Sequence, residues 1–350
     1  MTFPAGSLQV SCTLEKWHGA SNDFLFVHAD ELLSVLDVWH PSGSRVKELH
    51  HSRQNLQTAE MLMQRLAVAW CDRRRGLGAD GLVVWGHDFS ERLFARIWNS
   101  DGSRASTCGN ALRCLGALIL NRKLWDGLSP QSVHQLELQW QQVSATHEVF
   151  AELLASRSID CSQFETRVSM GEVSEIVDLT QVMGRQMDLG IRNSLHDSFL
   201  ELLLHATFVQ LANPHLVLTL KAQSFHGLTA EHFSELGRFF QSDGVCRALN
   251  IPVSNIGFVE VLDEPQATTL QPLNAIVFER GAGLTSCCGS GGCAMRVALE
   301  TAGRLPRGQA QDFAMPGGVI AVSRVDEQLE LSGPAVRVCS MTLHGRDLGN

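Results

Sequence analysis

Tyrosine does not occur anywhere in the 350 residues, although tryptophan occurs seven times, and the bias has no evident physical reason. Other scarcities exclude whole classes of function. Basic residues are outnumbered, with 28 Lys and Arg against 37 Asp and Glu and a formal charge of -9. With no basic stripe, the chain is not expected to bind nucleic acid. No apolar run is long enough to span a bilayer. The richest, from Phe199 to Leu220, is broken by Glu201, His205, Gln210, Asn213 and His215. Met1 to Glu15 lacks a basic segment followed by an apolar core, so no secretory signal is expected. The expectation is a cytoplasmic protein without a membrane partner, whose ten cysteines are reduced thiols and not a disulfide framework. Their spacing offers no Cys-x-x-Cys with matching partners, and the adjacent Cys287-Cys288 suits tetrahedral zinc poorly, so no metal is expected.

What the chain does have is two cysteines in nearly the same setting. Cys108-Gly109-Asn110-Ala111 and Cys288-Gly289-Ser290-Gly291 each precede a helix-like run. A thiol at a Gly-rich helix start meets unpaired backbone N–H groups and the positive end of the helix dipole, which favour thiolate. The same N–H groups can seat a carboxylate. Two such settings suggest two thiols facing one bound acid from opposite sides. The bland alternative, an inert buried thiol, is the preferred reading for Cys12, Cys71, Cys114, Cys161, Cys246, Cys293 and Cys339.

The length suits two domains, and the pattern supports a repeat. Leu14 to His28 reads as a strand, a polar turn and a second strand. Residues 41–58 read as an insertion, Ala59 to Cys71 as a helix, Leu82 to Trp85 and Leu93 to Trp98 as strands, and Gly109 to Leu120 as a buried helix. The second half follows with strands at Thr207–Leu211, Leu216–Leu220, Ile256–Leu262 and Ala275–Glu279. A Gly-rich loop over 280–292 and a helix from Cys293 to Thr301 complete it. Strand, Gly-rich loop, thiol and helix thus occur once in each half. The fold class is α/β (α+β): two pseudo-symmetric domains, each a mixed sheet around a central helix, with the site in the cleft between them. The domains are placed at 1–158, to which 334–350 returns, and at 159–333.

Eight strings carry a resemblance: His18-Gly19-Ala20-Ser21-Asn22-Asp23-Phe24, Gly76-Leu77-Gly78-Ala79-Asp80-Gly81, Asn99-Ser100-Asp101-Gly102-Ser103, Cys108-Gly109-Asn110, Asn213-Pro214-His215, Asn255-Ile256-Gly257-Phe258, Glu279-Arg280-Gly281-Ala282-Gly283 and Cys288-Gly289-Ser290-Gly291. In this order they resemble the diaminopimelate epimerases, over about Leu14 to Val338. The resemblance implies a cofactor-independent two-base epimerase that interconverts LL- and meso-diaminopimelate in lysine and peptidoglycan precursor biosynthesis. Cys108 and Cys288 would be its acid and base. Inversion at carbon independently asks for an acid and a base on opposite faces. Backbone N–H groups of Gly109, Asn110, Gly289 and Ser290 would hold the α-carboxylate and stabilise the carbanion. By resemblance, Asn99, Asn213, Asn255 and Arg280 would take the distal carboxylate, Glu279 would lie near its ammonium, Asn22 and Gly81 would line the pocket, and His215 would orient or tune a thiol. The partner implied is a small amino acid, with a homodimer left open.

Several positions depart from the family pattern. Ser21 and Ala212 replace glycines, Leu284 stands where a Glu is usual, Cys287 adjoins Cys288, and Cys339 replaces a Tyr associated with dimer contact. Residues 31–59 and 127–144 look longer than the family core. Loss of a carboxylate at Leu284 is expected to alter the field at Cys288. Rival readings therefore stay open: a racemase of another amino acid such as histidine, a non-catalytic diamino-acid binder, or an isomerase related to phenazine-pathway enzymes, which lack the thiol pair.

Overall fold

The computed structural model describes residues 11–33, 53–87, 93–105, 108–122, 136–140, 149–158, 163–186, 194–261 and 271–344. The first half contributes β1 (Ser11–Gly19), β2 (Asn22–His28), α1 (Arg53–Cys71), β3 (Gly81–His87), β4 (Leu93–Asn99), β5 (Arg104–Ala105), α2 (Gly109–Asn121), β6 (Leu136–Trp140), β7 (Val149–Ser158) and β8 (Gln163–Glu172). The second adds β9 (Glu175–Asp178), α3 (Thr180–Gln186), α4 (Ser194–Leu202), β10 (Leu203–Gln210), β11 (Pro214–Leu220), α5 (Ala230–Phe240), α6 (Asp243–Leu249), β12 (Asn255–Glu260), β13 (Leu273–Glu279), β14 (Gly283–Thr285), α7 (Gly289–Thr301), β15 (Gln311–Met315), β16 (Gly318–Val325) and β17 (Gln328–His344).

The pairings repeat. β1–β2 is antiparallel, β2–β3 parallel, β3–β4 antiparallel and β4–β6 parallel. β10–β11, β11–β12, β12–β13 and β13–β15 follow the same alternation. The pseudo-symmetry expected from the repeated thiol strings therefore extends to strand order. In the first half the pairing continues through β7, β8 and β17 back to β1, so the strands close into a ring around α2. β17 also pairs with β16, which joins the two halves.

The central helices are apolar nearly all round, as helices buried inside a sheet must be. α2 is buried from Gly109 to Ile119, and α7 is buried from Gly291 to Leu299 and at Gly289. One continuous core holds side chains of both, including Leu112, Leu115, Met295 and Val297, with Leu331 of β17 between them. A second cluster packs α5 and α6 on β11–β13, and a third packs α1 on β1–β3.

Two expectations are corrected. α1 begins at Arg53, six residues earlier than the apolar period shows, because Arg53-Gln54-Asn55-Leu56-Gln57-Thr58 is mostly polar. The loop expected over 280–292 contains β14 and the first turn of α7, whose glycines mask a helix that burial enforces. The long stretch 127–144 includes β6. Residues 41–52, together with Ser106, Thr107 and Cys161, lie outside the described residues.

The β1–β2 turn uses Ala20 and Ser21, both with positive φ (50° and 68°), as a two-residue hairpin turn demands. Ser21 stands where glycine would be least strained, and its hydroxyl donates to the Gly317 carbonyl at 2.9 Å. The neighbouring Asp23 fastens the same turn to the 76–80 loop. Lys16 and Arg73 reach its carboxylate at 2.9 and 2.6 Å, and Arg73 also reaches Asp80 at 2.8 Å. Burial raises the Asp23 carboxyl, but the hydrogen bonds and charges of Arg73 and Lys16 outweigh it and bring it down to about 2. Burial raises Asp80 instead, so acid protonates Asp80 first. A depressed carboxyl contributes stability above its ordinary value of 3.8, lost as pH falls towards about 2. Asp23→Asn is therefore expected to cost on the order of 2 kcal/mol at neutral pH. The gap to wild type in thermal midpoints should close between about pH 4 and pH 2; a gap independent of pH would dismiss the ion-pair account.

Candidate active site

The two thiols occupy equivalent places. Cys108 is the N-cap of α2, with extended φ and ψ of -151° and 103°. Cys288 is the N-cap of α7 with -118° and 107°. Cys288 Sγ accepts from the Gly291 N–H at 3.4 Å and lies 3.5 Å from Ser290 Oγ. The helix starts abut: a Cβ on Gly289 would lie 3.8 Å from Gly109 Cα, and a Cβ on either glycine would meet Leu331 Cδ2, at 2.5 Å from Gly109 and 2.6 Å from Gly289. Leu331 thus requires glycine after each cysteine and sets both helix ends at one point. Asn110 bridges the halves, its amide donating to the Cys287 carbonyl at 3.0 Å.

The remaining candidates fall at matching strand ends of the two halves. In the first half, Asn22 opens β2, Gly81 opens β3 opposite Phe24, and Asn99 ends β4 opposite Gly81. In the second, Asn213 precedes β11, His215 pairs with Asn255 at the start of β12, and Glu279 ends β13. The Arg280 N–H donates to Asn255 Oδ1 at 2.9 Å, so Asn255, Glu279, Arg280 and His215 form one neighbourhood. Glu279 accepts from Thr285 Oγ1 at 2.6 Å and acts electrostatically on both Cys108 and Cys288. Asn99 instead donates to Ser103 Oγ at 2.9 Å, within its own turn. Asn22 Oδ1 and both ring nitrogens of His215 are buried without a partner among the described residues. Such groups are costly unless a partner arrives. Burial lowers His215 to about 3, so its ring is neutral at working pH.

Electrostatics differ from the expectation of lowered thiol values. Burial pushes Cys108 up to about 11, with Glu279 adding to the rise and the N–H groups of Ala111 and Asn110 and the charge of Arg113 opposing it. Burial and Glu279 also carry Cys288 well above its ordinary value, against Ser290 and Gly291. Burial raises Glu279 too. Desolvation of charge in a packed interior exceeds what one helix end returns.

Leu284 pairs with Phe278 and packs in the second apolar cluster, while Thr285, on the opposite face of β14, meets Glu279. Thr285, Leu331 and Arg113 were not among the candidates. Arg113 had a signal, since it lies three residues after Asn110 on the same helix face.

The architecture belongs to a class of two-halved folds seen in racemases, epimerases and isomerases. A hydroxyproline epimerase from Agrobacterium vitis matches with a TM-score of 0.56 at 14% identity, covering 96% of this chain and 92% of that one. A Bacillus anthracis phenazine biosynthesis protein of the PhzF family matches at 0.56 and 10% identity, covering 95% and 99%. These likenesses show the fold. In sequence, the diaminopimelate epimerase family profile matches residues 51–134. The diaminopimelate epimerase of Desulforudis audaxviator is 33% identical over 283 residues, covering 78% of this chain and 87% of the relative. That of Thermosynechococcus vestitus is 27% identical over 346 residues, covering 95% and 100%. The chain belongs to the diaminopimelate epimerase family and is an isomerase, an epimerase of that family. No helix among the described residues is long and apolar enough to cross a membrane.

Proposed function

We propose that this epimerase interconverts LL- and meso-diaminopimelate with Cys108 and Cys288 as its two bases, serving lysine and peptidoglycan precursor formation in the cytoplasm. The observation that carries the reading is the pair of N-cap cysteines on helix starts that abut. A carboxylate at that junction receives N–H groups from both helices, so the negative charge that develops on the α-carbon and its carboxylate is met by fixed dipoles. One thiolate takes the α-proton, and the thiol on the other face gives up its own. The proton count is unchanged, but the two sulfurs have exchanged states. Glu279, which repels thiolate at both cysteines, would pair with the substrate ammonium; that pairing relieves the repulsion and lowers both thiols when they are needed. Asn99, Asn213, Asn255 and Arg280 would take the distal carboxylate, with Asn22 and Gly81 lining the pocket. His215 would act as a neutral neighbour of the thiol pair.

The test is exchange in deuterium oxide. Purified protein is expected to introduce deuterium at the α-carbon of LL-diaminopimelate and form the meso isomer, without added pyridoxal phosphate or metal. Faster exchange into histidine, proline or lysine would reassign the substrate.

A further inference from the structure

Arg113 is fully buried on α2, facing the core rather than solvent. One guanidinium nitrogen donates to Asn110 Oδ1 at 2.7 Å and another to the Pro334 carbonyl at 2.7 Å. Its Nε has no partner, and among the described residues no carboxylate pairs with it. Among the described residues the titratable groups whose charge acts on it are the thiols of Cys114, Cys287 and Cys108. β1 and β17 bring glycines against it: a Cβ on Gly19 would come within 3.2 Å of the guanidinium and one on Gly333 within 2.5 Å. A buried cation without a counter-ion is costly, and neutral carbonyls recover only part of that.

The pseudo-symmetry sharpens the point. Arg113 stands five residues after Cys108; the residue five after Cys288 is Cys293, buried and uncharged. Packing inside a ring of strands therefore does not require an arginine at this place. Through Asn110 the guanidinium reaches the Cys287 carbonyl, next to Cys288, while its charge acts on Cys108.

We propose that Arg113 is a positioning residue for the epimerase: its fork through Asn110 holds the Cys288 turn against the Cys108 turn, and the buried positive charge it brings to that junction favours thiolate there. Other groups also act on these thiols. Glu279 faces both and opposes thiolate, Cys287 adds to that at Cys288, and Ser290 and the helix-end N–H groups favour thiolate. Arg113 is the cation among them.

The inference rests on Cys108 and Cys288 being the base pair, but its test needs no substrate. The pH dependence of alkylation of Cys108 by iodoacetamide, mapped by mass spectrometry, is compared in wild type, Arg113→Met and Arg113→Lys. Met is expected to raise the midpoint by about one pH unit or more, a tenfold loss of thiolate at neutral pH, and to lower kcat with KM little changed. Lys keeps the charge but not the fork, so its midpoint should stay near wild type while kcat falls. A folded Arg113→Met protein with an unshifted midpoint overturns the proposal. If that variant does not fold, Arg113→Lys decides, and a rise of a full unit there overturns it. A wild type inactive on diaminopimelate would defeat the substrate assignment while leaving the thiol titration readable.

Discussion

Replacing Cys108 or Cys288 by alanine is expected to lower kcat for epimerisation, in both directions, by at least about 10²–10⁴-fold, the range for loss of one positioned acid or base. The loss should be symmetric because each sulfur is base for one isomer and acid for the other. A sharper signature lies in isotope exchange. With one sulfur left, a proton removed from one face can return only to that face. Each single mutant should therefore exchange the α-hydrogen of one stereoisomer without inverting it, and the two mutants should choose opposite isomers. Controls come from thiols that pack and do nothing else. Cys293, on α7, and Cys71, on α1, are both buried. Alanine there should cost about 1 kcal/mol of stability and leave turnover near wild type. Near-normal turnover in either Cys108→Ala or Cys288→Ala would refute the two-base assignment.

The candidate site was legible because its parts are short and local. Gly after each cysteine, Asn at strand ends and the Asn-Pro-His turn can be recognised within a few residues. The structure supplies the reason for the glycines in Leu331, which no local reading finds because it lies far along the chain on β17. The same distance hid the ring closure, in which β17 returns from the far end of the chain to pair with β8 and β1. Beyond its spacing from Asn110, Arg113 carries no mark in the sequence because its partners are the Pro334 carbonyl, far along the chain, and an Asn110 already engaged with Cys287. The thiol electrostatics are hidden for a related reason. The helix-end contribution is visible in sequence, whereas desolvation depends on how completely both halves close over Cys108 and Cys288.

Substrate choice turns on Arg280. Its backbone N–H is held by Asn255, which stands beside His215, and its exposed side chain extends from the strand end. A planar fork there suits a second carboxylate. For diaminopimelate, Arg280→Ala is expected to cost about 2–5 kcal/mol in kcat/KM, the range for removing one partner of a buried charge pair. Lysine, which has the distal ammonium but no distal carboxylate, should be a poor substrate of the wild type and should lose little further in the mutant, because the interaction was never made. The rival reading, a pocket retuned for a monocarboxylic amino acid, drew on the absence of a carboxylate at position 284. Leu284 itself packs with the second apolar cluster, on the face of β14 opposite the Thr285 that meets Glu279. The measurement remains decisive on its own terms. A larger kcat/KM for histidine than for diaminopimelate, unaffected by Arg280→Ala, would assign the pocket to a different amino acid while leaving the thiol pair in place.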